Sequence, residues 1–510
     1  MKKYFIYIGL LAVGMTSCEP EFENPVDEAG AYTNGEADFS NYVALGNSLT
    51  AGYADNALYI SGQQNSYPNI LAQQFAKVQE TQEFDQPLMA DNAGGLLLNG
   101  NPIAGTRLVL AFDAQGNAAP KNYTGQQPST EITEKLSGPF SNMGVPGARS
   151  YHLLAPGYGS VAGVPAGTAN PYFARFASSG EATVVGDAAA QNPTFFSLWI
   201  GNNDVLGYAT SGGLDEAEIT DPTMFAGAYS QIVNSMIDAG AEEGVLLNIP
   251  DVTNVPFFTT VPNNALVLTA EQAAGLTGYF QAVAGIYTQL LMKNGIPAEQ
   301  AQALASQYAI PFSEGANRFI IDVPVTEMNP LGFRQMTEEE LLLLTIDQTA
   351  LKQQGYGSAA ITPAVMEVLG ILQQGGQPTQ EQAQTVLYAV NAIDDKDALD
   401  AQELENINNA RVAFNQTIKG LAESKGLAFV DAAAMLEQTA TTGINFDAGV
   451  VTSTFATGGA FSLDGIHLTP RGYALVANRI IESINQTYNS TVPKVNIGTY
   501  GTVTPSNEVN

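Results

Sequence analysis

The sequence holds one cysteine (Cys18), two histidines (His152 and His467) and one tryptophan (Trp199) in 510 residues. A single cysteine permits no internal disulfide, so the folded body must rely on its apolar core. Two histidines and one thiol leave little for a zinc centre, and no metal or other cofactor is expected. Basic residues are scarce as well: 19 Lys and Arg stand against 50 Asp and Glu, for a net charge of -31. No basic stripe follows the chain, which argues against a nucleic acid partner. The same imbalance disfavours electrostatic docking on anionic lipid. Beyond the N-terminus, no apolar run approaches the length of a membrane-spanning helix. Hydrophobic residues make up 45%, ordinary for a globular chain with a sizeable core.

The N-terminus reads as an export signal over residues 1–17: Lys2 and Lys3, then the short apolar stretch FIYIGLLAVGM. Met15-Thr16-Ser17-Cys18 resembles a bacterial lipobox, which implies lipidation of Cys18 and attachment to a membrane through that lipid. The following acidic, Pro- and Gly-containing stretch, residues 18–38, is expected to be a tether. Acidic residues directly after the cysteine resemble the surface-export signals of Bacteroidetes lipoproteins. The expectation is an exported lipoprotein of the outer membrane, on its periplasmic face or the cell surface.

Along the remainder, unalternating apolar runs at 41–45 (NYVAL), 194–200 (TFFSLWI), 244–249 (GVLLNI) and 427–432 (LAFVDA) suit strands buried on both faces. Helical patterns lie between them. One begins at Met224, a second follows the cap and box Asp400-Ala-Gln-Glu403, and a third opens at Thr469-Pro470. Such alternation predicts an α/β sheet with crossover connections. Two regions interrupt it and read as insertions on a body of residues 39–490, with 491–510 as a tail. The first, about 80–138, contains a hairpin around Gln115-Gly116-Asn117. The second, about 262–400, is mostly helical, with helix starts at Thr269, Thr337 and Thr362, and LLLLTI (341–346) as helix core or, alternatively, as the lining of an acyl pocket. The two could instead form one separate cap domain.

Residues 45–53 read LGNSLTAGY, directly after the first predicted strand. A serine there is a weak nucleophile until a base takes its proton, so a catalytic Ser48 requires a histidine nearby. His467 lies in SLDGIHLTPRGY, where Asp464 precedes it by three residues and Gly465 allows a tight turn. That spacing can set a carboxylate against the imidazole within one loop. His152 has no carboxylate close in sequence and is expected to be structural, the alternative being that it lines the pocket beside Gly147. An oxyanion would need donors, and two stretches offer them: NMGVPGARS, with Gly144 and Gly147, and LWIGNNDVL, with Asn203. The acidic cluster Asp394, Asp395 and Asp397 lacks the glycine and terminal Glu of a calcium loop.

GNSLTAGY, NMGVPG, GNND and DGIH, in that order, resemble the four blocks of the SGNH, or GDSL-type, hydrolase superfamily. The resemblance implies a flavodoxin-like three-layer α/β/α sandwich and a metal-free serine esterase. It implies Ser48, Asp464 and His467 as the catalytic triad, and Ser48, Gly147 and Asn203 as the oxyanion hole. The substrates implied are esters of acyl lipids or O-acetylated glycans. Asn47 departs from the family, which usually has Asp there. The competing expectation is a non-catalytic surface lipoprotein that binds glycan or lipid with a hydrolase-like fold.

Overall fold

The computed structural model describes residues 32–215 and 218–509. The export signal, Cys18 and most of the proposed tether lie outside the described residues. The end of that tether belongs to the body: Glu36 N–H donates to Tyr488 O at 2.8 Å, and Thr491 N–H to Thr33 O at 2.8 Å.

Five parallel strands form the central sheet: β1 (Tyr42–Gly46), β2 (Asn142–Gly144), β3 (Phe195–Trp199), β4 (Glu243–Leu247) and β5 (Ala428–Val430). Their spatial order is β2-β1-β3-β4-β5. Every residue of β1 and β3 is buried, which is why these segments are apolar without alternation. The helices fall into two groups. Helix α2 (Tyr67–Phe75) packs on α8 (Pro470–Tyr488), and α8 lies against β4 and β5. On the opposite face, α3 (Val184–Ala189) and α6 (Ala401–Lys425) both pack on α5 (Pro222–Asp238), with α6 also against β4 and β5. The arrangement is compatible with a three-layer α/β fold, and the strand order reverses at β1, which lies between β2 and β3.

The helix starts follow from their caps. Asp400 and Glu403 form the reciprocal box that opens α6, and the Thr469 side chain accepts from Gly472 N–H ahead of Pro470 at the head of α8. In the first insertion, Leu108–Phe112 and Ala118–Asn122 form the expected hairpin. The C-terminal tail lies along it, with Leu110 N–H donating to Thr504 O at 2.9 Å and Ser506 N–H to Leu110 O at 3.1 Å.

The second insertion builds its own apolar cluster. Helices Ala270–Lys293, Ala298–Ser306, Pro363–Gln373 and Gln380–Leu387 and short strand pairs contribute to it, with Tyr279, Phe280, Tyr308 and Val386 at its centre. Two expectations there are corrected. Thr337 starts no helix: the Glu340 carboxylate turns back to accept Thr337 N–H at 2.7 Å and pairs with Arg334, closing a loop over a buried acid. LLLLTI is not helix core either. Leu341–Leu342 is a short strand paired with Ala398–Leu399, and Leu344 N–H donates to Phe257 O at 2.8 Å. Four consecutive leucines carry no period, so tertiary pairing decided their conformation.

Candidate active site

The first and last blocks meet at the C-terminal edge of the sheet. Gly46, the last residue of β1, is level with Gly144 of β2 on one side and Trp199 of β3 on the other. Two residues further, Ser48 opens the short helix α1 (Ser48–Ala51). Helix α1 sits so close to the strand ends that both glycines are needed for space. A Cβ at Gly46 would lie 2.1 Å from Thr50 Oγ1, and one at Gly144 would lie 2.3 Å from Ala51 N. The Asn47 side chain caps the helix, accepting Leu49 N–H at 3.0 Å, while its amide donates to Asn202 Oδ1 at 3.3 Å. Ser48 N–H stands at the first helical position, where no intrahelical acceptor exists.

His467 Nε2 lies 2.8 Å from Ser48 Oγ, and its Nδ1 lies 2.9 Å from Asp464 Oδ2. The local turn explains the three-residue spacing. Asp464 Oδ1 accepts the backbone N–H groups of Ile466 (2.9 Å) and His467 (2.8 Å), so the carboxylate builds its own turn and leaves Oδ2 for the imidazole. Ser462 Oγ donates to Oδ1 at 3.1 Å and Asn56 N–H to Oδ2 at 2.8 Å. Burial opposes ionisation of this carboxyl. The adjoining imidazole and the N–H donors outweigh it and hold Asp464 well below the usual carboxylate range. A carboxylate facing Nδ1 fixes the tautomer with its proton there, so Nε2 presents a lone pair to the Ser48 hydroxyl. The Tyr53 ring covers the imidazole, 4.6 Å between centroids.

Gly147 has φ +78°, and a Cβ there would meet nothing within 4 Å. Its exposed N–H has no acceptor among the described residues. Asn203 begins helix α4 (Asn203–Thr210), and its Nδ2 donates to Ala148 O at 2.9 Å, tying the start of α4 to the Gly147 loop. One of the two amide hydrogens is thereby used, and the other remains for a ligand. His152 stands apart from this chain. Its Nδ1 accepts Arg149 N–H at 3.1 Å and its ring stacks on Tyr158, while burial, helped by the Arg149 charge, pushes its pKa down to about 4.

Several supports escaped sequence reasoning. Asp204, fully buried, accepts from Ser150 N at 2.8 Å and Ser150 Oγ at 2.6 Å, fixing the far end of the Gly147 loop. Asn202, rather than Asn203, is the partner of Asn47. Asp55 and Asn56, with φ +53° and +60°, brace the Asp464 turn from the loop after the first block. An Asp-Asn pair is a fair signal for such left-handed backbone, though not for what it supports. Among the described residues no cluster of three or more His, Cys, Asp or Glu side chains could hold a metal ion.

The arrangement can activate a hydroxyl: a buried carboxylate orients an imidazole whose free nitrogen faces a serine at a helix start. Compared with known protein-family models, curated proteins and solved structures, the chain matches none of them.

Proposed function

We propose that this chain is a serine ester hydrolase of the SGNH, or GDSL, type. The observation that carries the reading is the unbroken hydrogen-bonded chain Ser48–His467–Asp464 at the reversal point of a doubly wound parallel sheet, where ligands bind in such folds. His467 Nε2 takes the Ser48 proton as Oγ attacks the ester carbonyl. The oxyanion that forms is met by the N–H groups of Ser48 and Gly147 and the free amide hydrogen of Asn203. His467 then delivers the proton to the leaving alcohol. Water, deprotonated by the same nitrogen, releases the acid from Ser48 and restores the hydroxyl. Asp464 keeps the ring oriented and stabilises the imidazolium of each step. Lipid attachment through Cys18 would place this activity at an outer membrane.

The test is hydrolysis of p-nitrophenyl esters by the body lacking residues 1–18, beside Ser48→Ala. Loss of turnover by about a thousandfold or more in the variant is expected. Equal rates for the two proteins on every ester would leave the binding-protein reading in its place.

A further inference from the structure

One cavity is lined by Ser48 and His467 and by no residue of the Gly147 loop. Its polar lining comes from Ser48, His467, Asn47, Asn202 and Asn203, with Thr439. The remaining lining is apolar. Leu206 comes from α4 and Val252 from the loop after β4. Met435 and Leu436 lie on α7 (Ala432–Thr441), and Leu475 and Val476 on α8. The Thr439 hydroxyl is turned to its own helix and donates to Met435 O at 2.7 Å. Trp199, at the end of β3, lines the same cavity and spends its indole N–H on Asn248 O at 3.2 Å.

We propose that this cavity holds the unbranched alkyl chain of the acyl group, so that the substrate is a fatty-acyl ester rather than an acetate. The proposal rests on the esterase reading for its chemistry, though not for the binding itself. A sugar in this cleft would lose the water on its hydroxyls and leave most of them without a partner on the apolar lining. A methylene chain loses nothing there and gains from each carbon that enters. Orientation follows from the two halves of the reaction. The alcohol must leave and water must take its place at His467, which requires the solvent side. The acyl group stays on Ser48 through both halves and suits the dry side.

Trp199 is the only tryptophan in the chain, so its fluorescence reports the cavity without any turnover. Straight-chain carboxylates from acetate to decanoate would be titrated against the protein while Trp199 emission is followed. Affinity is expected to rise roughly fourfold per added methylene, equivalent to about 0.8 kcal/mol each, until the cavity is full, and then to level off. The kcat/KM of p-nitrophenyl esters should follow the same series. Met435→Phe and Leu436→Phe, each narrowing the cavity, should flatten both series while thermal unfolding still shows a cooperative transition. A rising carboxylate series with no Ser48-dependent turnover supports the cavity assignment and sinks the esterase reading. Ser48-dependent turnover with a flat or falling series does the reverse. Chain-length dependence confined to the alcohol half of alkyl acetates also overturns the proposal. Octanoyl esters of glycerol and of glucose, hydrolysed side by side, separate a lipid source of the chain from an acylated sugar, and turnover of neither, beside active p-nitrophenyl octanoate, counts against it.

Discussion

The carboxylate of Asp55 accepts the backbone N–H of Leu463 at 3.0 Å, joining the loop after Ser48 to the loop that carries Asp464 and His467. Its own backbone N–H donates to Ser462 Oγ at 2.9 Å, and Ser462 passes the contact on to Asp464. Asp55 touches none of the reacting atoms. It is a positioning residue that fixes one end of the triad relative to the other. Asp55→Ala should lower kcat by about a hundredfold with little change in KM, the scale expected of a misplacement near 1 Å. Asp55→Asn retains an acceptor for Leu463 N–H and should recover most of that loss. A KM effect equal to the kcat effect would point to the substrate cavity instead.

The same residue makes a prediction about stability. Burial, partly offset by the Leu463 and Tyr59 hydrogen bonds, raises the Asp55 pKa from 3.8 to about 6, with the Asp464 charge adding to the rise and Arg107 opposing it. The folded protein therefore holds this proton more tightly than the unfolded chain. The contribution is full below pH 3.8 and is lost as pH climbs through about 6. Thermal unfolding of the Asp55→Asn variant should lack that decline, so its melting temperature should gain on the natural protein between pH 4 and pH 7. Parallel curves over that range would mean that Asp55 ionises without penalty.

Gly147 offers a separable test of the oxyanion site. A side chain at φ +78° costs about 1–2 kcal/mol, while the absence of any neighbour within 4 Å of its Cβ means that no clash adds to this. Gly147→Ala should therefore fold with a modestly lower melting temperature. Asn203→Ala should lower kcat by about 10²–10³, the scale for one lost oxyanion donor. The alanine variant keeps its backbone N–H, so its kcat should fall far less than that of Asn203→Ala, and full kcat in the Asn203 variant would remove that amide from the oxyanion site.

Legibility in the sequence followed the range of the contacts. Asp464 and His467 were readable because their pairing is set by four consecutive residues and the N–H groups of a single turn. Four of the five strands were readable because burial on both faces leaves an apolar run. Strand β2 was not, since its three residues include Asn142 and Gly144, chosen for contacts with Thr50 and for space beside Ala51. Asp55 and Ser462 support the site across some 400 residues, and contacts of that separation leave no local spacing to find.

Asn47, where the resembled family has Asp, tests how much of the first block is support. Its oxygen caps Leu49 N–H and its amide donates to Asn202. An Asp at this position keeps the cap, and Asn202 can turn its amide to donate in return, so Asn47→Asp should keep turnover within about tenfold. Asn47→Ala loses both bonds and about 1 kcal/mol of cap, and should lower kcat further than the Asp variant does. The kcat order natural, Asp, Ala checks the assignment, and an inactive Asp variant would assign the Asn47 amide a role beyond holding Asn202.

Asp464 has the opposite sign to Asp55. Burial alone would raise its pKa, yet the His467 ring and the surrounding N–H groups hold it far below 3.8. Its contribution is present above pH 3.8 and is lost only as the pH falls through that much lower folded value. Across the mildly acidic range this carboxylate stays charged, so Asp464 adds no ionisation of its own to the acid limb of kcat/KM. Asp464→Asn separates charge from shape. The amide oxygen can still accept the Ile466 and His467 N–H groups, and the turn should form. The amide NH2 would then face Nδ1 and move the ring proton to Nε2, where it points at Ser48 and cannot accept the hydroxyl proton. A drop in kcat of about 10⁴ is expected, with a cooperative unfolding transition retained. Imidazole nitrogen NMR should show the tautomer change directly, and a variant with unchanged tautomer and normal kcat would remove Asp464 from the mechanism.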